Sequence, residues 1–161
     1  MIVVLMGVSG CGKTEVGEIL ARELGWSFFD ADDYHPQVNV EKMRSGHPLT
    51  DEDRWPWLDR LNALMREADD EGKSAVLGCS ALKQAYRERI AQGLDDVRWV
   101  HLKGSFELIL SRLATRKHRY MPASLLQSQF DTLEEPTDAL TIDITDAPEV
   151  LASRIREGFQ I

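Results

Sequence analysis

Residues 7–14 read Gly7-Val8-Ser9-Gly10-Cys11-Gly12-Lys13-Thr14, the full G-x-x-x-x-G-K-[ST] spacing. No other feature constrains the fold as strongly. An apolar run, Ile2–Met6, precedes it. An amphipathic segment, Glu15–Leu24, follows, with Val16, Ile19, Leu20 and Leu24 on one face and Gly25 as its stop. A strand that turns through glycines directly into a helix must open a crossover unit, so the sheet is expected to be parallel. The glycines let the loop wrap closely with its backbone N–H groups inward. The helix N-terminus adds partial positive charge beneath an anion. Lys13 is expected to reach terminal phosphates, and the Thr14 hydroxyl to ligand Mg²⁺. Gly7 to Thr14 are thus the candidate nucleoside-triphosphate ligands. The motif alone does not choose among kinases, GTPases, ATPases and regulators.

The rest of the chain keeps the alternation. Trp26–Phe29, Lys73–Cys79, Val97–Leu102 and Leu140–Ile144 read as further strands, giving five in all. Helices are expected around Leu58, Leu61, Leu64 and Met65, over Lys83–Ala91, after a Ser105 cap with Phe106, Ile109, Leu110 and Leu113 inward, and over Pro148–Gly158. The first of these could begin at a Thr50/Asp53 capping box or at Pro56. The expected fold is a three-layer α/β domain spanning residues 1–161, with a five-stranded parallel sheet. At 161 residues one core suffices. No apolar run is long enough to span a bilayer. The apolar N-terminus has no basic segment before it, so it reads as a buried strand, and the cytoplasm is the expected location. Cys11 and Cys79 do not suggest a disulfide framework; both suit small-residue packing, and Cys11 in a loop of N–H groups could also be reactive. The net charge of −8 argues against nonspecific nucleic-acid binding. Anionic ligands must therefore meet a local concentration of cations.

Two features separate a kinase from a hydrolase. Hydrolytic relatives of this loop carry an apolar strand ending in an Asp that supports Mg²⁺. Here Ala75-Val76-Leu77-Gly78-Cys79-Ser80 and His101-Leu102-Lys103 end in no acid, and an N-K-x-D signature is absent. The acids instead follow the second strand, as Asp30-Ala31-Asp32-Asp33. At a parallel strand's C-terminal end they would face the ligand crevice. In an extended segment Asp30 and Asp32 should share one side, with Asp30 toward the metal, Asp32 toward an attacking hydroxyl, and Asp33 capping the turn before Pro36. A polar turn without catalytic duty is the bland alternative. The second feature is Arg112, Arg116, Lys117, His118 and Arg119 before Tyr120-Met121-Pro122. This suits a mobile lid, approximately residues 115–123, that screens transferred charge and excludes water. A solvated helical face is the alternative.

These segments, with others along nearly the whole chain, resemble the gluconokinase family, small kinases related in fold to shikimate and adenylate kinases. The matching residues are Met6–Thr14; Phe29-Asp30-Ala31-Asp32-Asp33-Tyr34-His35-Pro36 with Asn39, Lys42 and Met43; Gly46, Pro48-Leu49, Asp51, Asp53-Arg54 and Pro56-Trp57-Leu58; Cys79-Ser80-Ala81-Leu82-Lys83 with Tyr86-Arg87; Leu102–Phe106; and Leu125-Leu126, Ser128-Gln129-Phe130 and Leu133-Glu134. The resemblance implies ATP- and Mg²⁺-dependent phosphorylation of D-gluconate to 6-phosphogluconate by a cytoplasmic homodimer, with no nucleic-acid or membrane partner. It implies Asp32 as the base near the sugar hydroxyl and Arg54 as a carboxylate or hydroxyl anchor. His35 and Asn39 would hydrogen-bond sugar hydroxyls, and Ser80 and Lys83 would face the same crevice. On the residues alone, Arg54 could equally pair with Asp51 or Glu52 along a helix, His35 could cap a loop, and Lys83 could be an exposed first-turn lysine. Relatives commonly place His before the aromatic-Met pair, where this chain has Arg119. Arg116 is therefore the lid residue expected on the migrating phosphoryl group. Adenine is expected between Arg112 and the Thr145–Pro148 turn. The expected catalytic set is Lys13, Asp32 and Arg116, with Thr14 and Asp30 at the metal. A kinase for another small hydroxy acid, shikimate-like, and a non-catalytic ATP-binding regulatory module are the rival readings.

Overall fold

The computed structural model describes residues 1–115 and 122–161. Five strands form one sheet: β1 (Ile2–Met6), β2 (Ser27–Asp30), β3 (Ala75–Gly78), β4 (Val97–Lys103) and β5 (Leu140–Asp143). Their order is β2-β3-β1-β4-β5, and every pairing is parallel. β1 is therefore central, and the loop that leaves it opens at the middle of the sheet's C-terminal edge. All five residues of β1 are buried, as a strand covered on both faces must be.

The described residues form seven α-helices: α1 (Lys13–Leu24), α2 (Gln37–Arg44), α3 (Asp51–Asp70), α4 (Gln84–Ala91), α5 (Phe106–Ala114), α6 (Ala123–Thr132) and α7 (Pro148–Phe159). Strand alternation sorts the core into two layers. Val3, Leu5, Val76, Val100, Leu102 and Ile142 pack with residues of α1, α5, α6 and α7. Ile2, Val4, Met6, Ala75, Leu77 and Trp99 pack with α3 and α4 through Trp57, Leu58, Leu61, Met65, Tyr86 and Ile90. This is the expected three-layer arrangement. No helix among the described residues is long and apolar enough to cross a membrane.

Strand ends shift by one or two residues from the sequence reading, and the segment after β2 differs in kind. The start of α3 resolves in favour of Thr50. Its hydroxyl accepts from the Asp53 amide and the Asp53 carboxylate accepts from the Thr50 amide, a complete capping box. Pro56 is inside the helix instead. The carbonyl it leaves without a helical donor is that of exposed Glu52, which water can reach. The acids after β2 are not extended: Ala31–Tyr34 forms a 3₁₀ turn. Lys83 caps α4 rather than opening it.

Candidate active site

The phosphate loop closes on itself through Lys13. Its ammonium donates to the carbonyls of Gly7 at 2.9 Å and Val8 at 3.1 Å, and lies 3.8 Å from the Cys11 sulfur. Three loop carbonyl or sulfur partners thus keep a lysine at the N-terminus of α1, where the helix dipole also favours anions. Gly10 has φ +84°, and a Cβ there would lie 2.8 Å from Leu113 of α5. Glycine is needed at that position both for backbone and for space. Cys11 is fully buried, which makes it a packing residue. Cys79, at the end of β3, is also buried, and burial pushes its thiol up to about 12, so it is inert at neutral pH.

Next to the loop, β2 ends at Asp30. One carboxylate oxygen accepts from the Thr14 hydroxyl at 3.4 Å, and the other accepts from the Asp32 amide at 3.0 Å, capping the 3₁₀ turn. Asp30, not Asp33, is therefore the turn's cap. The turn also overturns the extended alternation that would have put Asp30 and Asp32 on one side: Asp30 faces back to Thr14, while Asp32 is carried onto the exposed surface of the turn. Thr14 and Asp30 offer two hard oxygen donors at one strand–helix junction, the donor type Mg²⁺ takes.

His35 follows the turn and stacks on Trp57 of α3, with ring centroids 4.1 Å apart and planes 17° apart. The Trp57 indole N–H donates to the Ala31 carbonyl at 2.7 Å, which fixes the platform. The Asn39 amide nitrogen donates to the Asp53 carbonyl at 2.9 Å and lies 3.3 Å from His35 Nδ1. A carbonyl only accepts, so that nitrogen is a donor, and Nδ1 of a neutral ring must accept from it. The ring proton then sits on Nε2. Burial lowers the His35 pKa most strongly; the Asp32 carboxylate opposes this and Arg54 adds to it. Asn39 itself is 2% exposed. The structure gives it a supporting position behind His35 rather than one on the crevice surface.

The cationic wall is built from α3 and α4. Arg54 donates to the Leu49 carbonyl at 2.8 Å and to the Tyr86 hydroxyl at 3.4 Å, and lies 3.9 Å from Asp51. Lys83 lies 3.4 Å from Asp51. Tyr86 donates to the same carboxylate. Burial first, and the Asp51 bond second, raise the Tyr86 pKa, so the phenol stays protonated as the donor. The Arg54–Asp51 contact expected from helix spacing is thus present, but as one limb of a cluster with Lys83 and Tyr86. Ser80 contributes its carbonyl, which accepts from the Gly7 amide at 3.2 Å and ties β3 to the loop.

On the other side of the loop, a groove of about 380 Å³ is lined by Gly10, Gly12, Arg112, Thr145, Pro148 and neighbouring residues. Arg112 donates to the Ile144 carbonyl at 2.6 Å. This is where adenine was expected. Arg116, Lys117, His118 and Arg119 lie outside the described residues, as does most of the expected lid. Two site-shaping residues escaped the sequence reading of roles. Tyr86, buried in the structure, was visible only as part of the matching Tyr86-Arg87 pair. Gln129, on α6, clamps Ser9 from 120 residues away, and only its place in the Ser128-Gln129-Phe130 segment hinted at it.

Residues 2–136 match the AAA domain family. The chain is 44% identical over 159 residues to the thermoresistant gluconokinase of Escherichia coli (strain K12), covering 96% of this chain and 91% of that protein. It is similar to the crystal structure of a sugar kinase from Janibacter sp. HTCC2649, with a TM-score of 0.91 and 44% identity over 99% of this chain and 94% of that one. A gluconokinase from Sinorhizobium meliloti 1021 superposes with a TM-score of 0.83 at 35% identity, over 98% and 94% of the two chains.

Proposed function

The chain belongs to the gluconokinase family, and we propose from that premise that this crevice transfers the γ-phosphoryl group of ATP to the 6-hydroxyl of D-gluconate. The observation that carries the reading is that the Asp32 carboxylate is within electrostatic reach of both cationic regions: it acts on His35 together with Arg54, and on Cys79 together with Lys13 of the phosphate loop. Lys83 and Tyr86 complete the Arg54 wall around Asp51. A substrate with a carboxylate at one end and a reactive hydroxyl at the other suits that layout.

In the proposed mechanism the loop amides and Lys13 neutralise the β- and γ-phosphates. Arg54 and Lys83 hold the sugar-acid carboxylate, and the Nε2–H of His35 donates to a sugar hydroxyl. Asp32 orients the 6-hydroxyl and accepts its proton as the O–P bond forms and the bond to the ADP oxygen breaks. Thr14 and Asp30 would hold Mg²⁺, which supplies charge neutralisation on the phosphates when bound. Arg116 is the proposed counter-charge for the migrating group. The transition state is loose, so positioning and electrostatics supply most of the rate. The proposed working form is a cytoplasmic homodimer, resting on family resemblance. Light scattering that gave the 18.2 kDa mass of one chain would remove the dimer.

The test is ADP release over a panel of sugar acids and neutral sugars. Gluconate should support turnover and glucose should support much less, since glucose lacks the carboxylate. Equal rates with both would sink the assignment and the anchor role of Arg54.

A further inference from the structure

Three amides of the phosphate loop are tied to the protein, and they alternate along it. Gly7 donates to the Ser80 carbonyl at 3.2 Å, Ser9 to Gln129 Oε1 at 2.8 Å, and Cys11 to the Val8 carbonyl at 3.3 Å. Among the described residues, the amides of Gly10, Gly12, Lys13 and Thr14 make no hydrogen bond to the protein. Peptide units are rigid planes, so anchoring the amides at 7, 9 and 11 sets the directions of those between them. The Gly7 and Cys11 ties come from the neighbouring strand end and from the loop itself. The Ser9 tie comes from α6 and is doubled, because Gln129 Nε2 also donates to the Ser9 hydroxyl at 3.0 Å. The helix that supplies it is held in place. Phe130, next to Gln129, meets Phe106 of α5 edge-on at 5.8 Å, and α5 in turn packs Leu113 and Ile109 against Gly10.

We propose that Gln129 is a positioning residue for nucleotide binding: it holds Ser9 so that the following loop amides, Gly10 and Gly12 first, are aimed at the nucleotide phosphates. The proposal rests on the loop's being the phosphate site and is independent of which hydroxyl accepts the phosphoryl group. Two neutral hydrogen bonds are removed in Gln129→Leu, and ADP binding measured by calorimetry should weaken roughly tenfold. Adenosine has no phosphates, so its affinity should stay within about twofold of the parent. A general loosening of the fold would weaken both ligands together. Ser9→Ala should weaken ADP binding in the parent and add nothing in Gln129→Leu, because the partner of the hydroxyl is already gone. Gln129→Glu keeps acceptors for both Ser9 groups but sets a negative charge beside the phosphates. It should therefore bind ADP worse than the parent, most of all at low salt. Parent-like ADP affinity in Gln129→Leu would overturn the proposal, as would equal losses for ADP and adenosine, or an undiminished Ser9→Ala effect in the double variant. If Gln129→Leu fails to fold, parent-like ADP affinity in Ser9→Ala, which removes the hydroxyl that Gln129 holds, overturns it instead. Absence of gluconate turnover would leave all of these readings intact.

Discussion

Three aspartates within four residues separate by their partners. Asp30 is engaged by Thr14 and by the Asp32 amide. Asp32 and Asp33 stand on the exposed face of the same 3₁₀ turn. Asp32→Asn should lower kcat by roughly 10²–10⁴-fold, the span of a lost general base, with little change in Mg²⁺ dependence. Asp30→Asn should instead raise the Mg²⁺ concentration needed for half-maximal rate, because it alters the oxygen pair with Thr14. Asp33→Asn should be mild. Titrating kcat against Mg²⁺ for the three variants separates these expectations; an Asp32→Asn enzyme at parental rate would remove the proposed base. Identifying the acid trio needed only the sequence. The expected split between metal and hydroxyl also came from the sequence; what needed the turn was the cap, which is Asp30 rather than Asp33.

At the scale of elements, α1 carries the loop and must lie close to the sheet. Gly17 permits this: a Cβ there would sit 2.4 Å from a Phe28 ring carbon of β2. Gly17→Ala gains helix propensity worth roughly 1 kcal/mol, but overpacking a core contact typically costs 1–3 kcal/mol. The net expectation is destabilisation, read as a lower urea midpoint, together with weaker ADP binding as α1 is pushed outward. An equal or higher midpoint would mean that Phe28 can turn aside. The sequence reading placed α1 within a residue or two through its apolar spacing and Gly25 stop. It missed α2, whose only buried residue is Asn39. A helix with no apolar stripe has no period to read.

The whole molecule is acidic, and many of its carboxylates are held ionised by native contacts. The Lys42 ammonium, followed by the Thr50 amide, brings Asp53 down to about 2. Tyr86 lowers Asp51, Arg89 lowers Asp59, Lys103 lowers Glu135 and Thr145 lowers Asp143. A depressed folded pKa means that the unfolded chain binds more protons across the interval between the two values. The stability from these contacts is present above the unfolded carboxylate range, near pH 4, and is lost as pH falls toward 2. Acid unfolding should therefore take up protons, and Asp53→Asn should flatten the stability profile between about pH 4 and 2. Asn can still accept from the Thr50 amide, so α3 keeps its cap while the Lys42 pair is lost. An unchanged slope across that window would assign the acid sensitivity to the other carboxylates.

The sequence by itself determined the phosphate loop, the parallel alternation and the kinase-like placement of acids after β2. Each of these is written in local order: glycine spacing, apolar period and residue type within a few positions of one another. Tertiary structure alone decided which distant groups meet. Tyr86 orients Asp51 between Arg54 and Lys83, Asn39 sets the tautomer of His35, and Gln129 clasps Ser9. The contacts among these that join separate elements, Lys83 and Tyr86 to Asp51 and Gln129 to Ser9, span from 32 to 120 residues. They depend on how helices seat on the sheet, and no local period encodes that geometry.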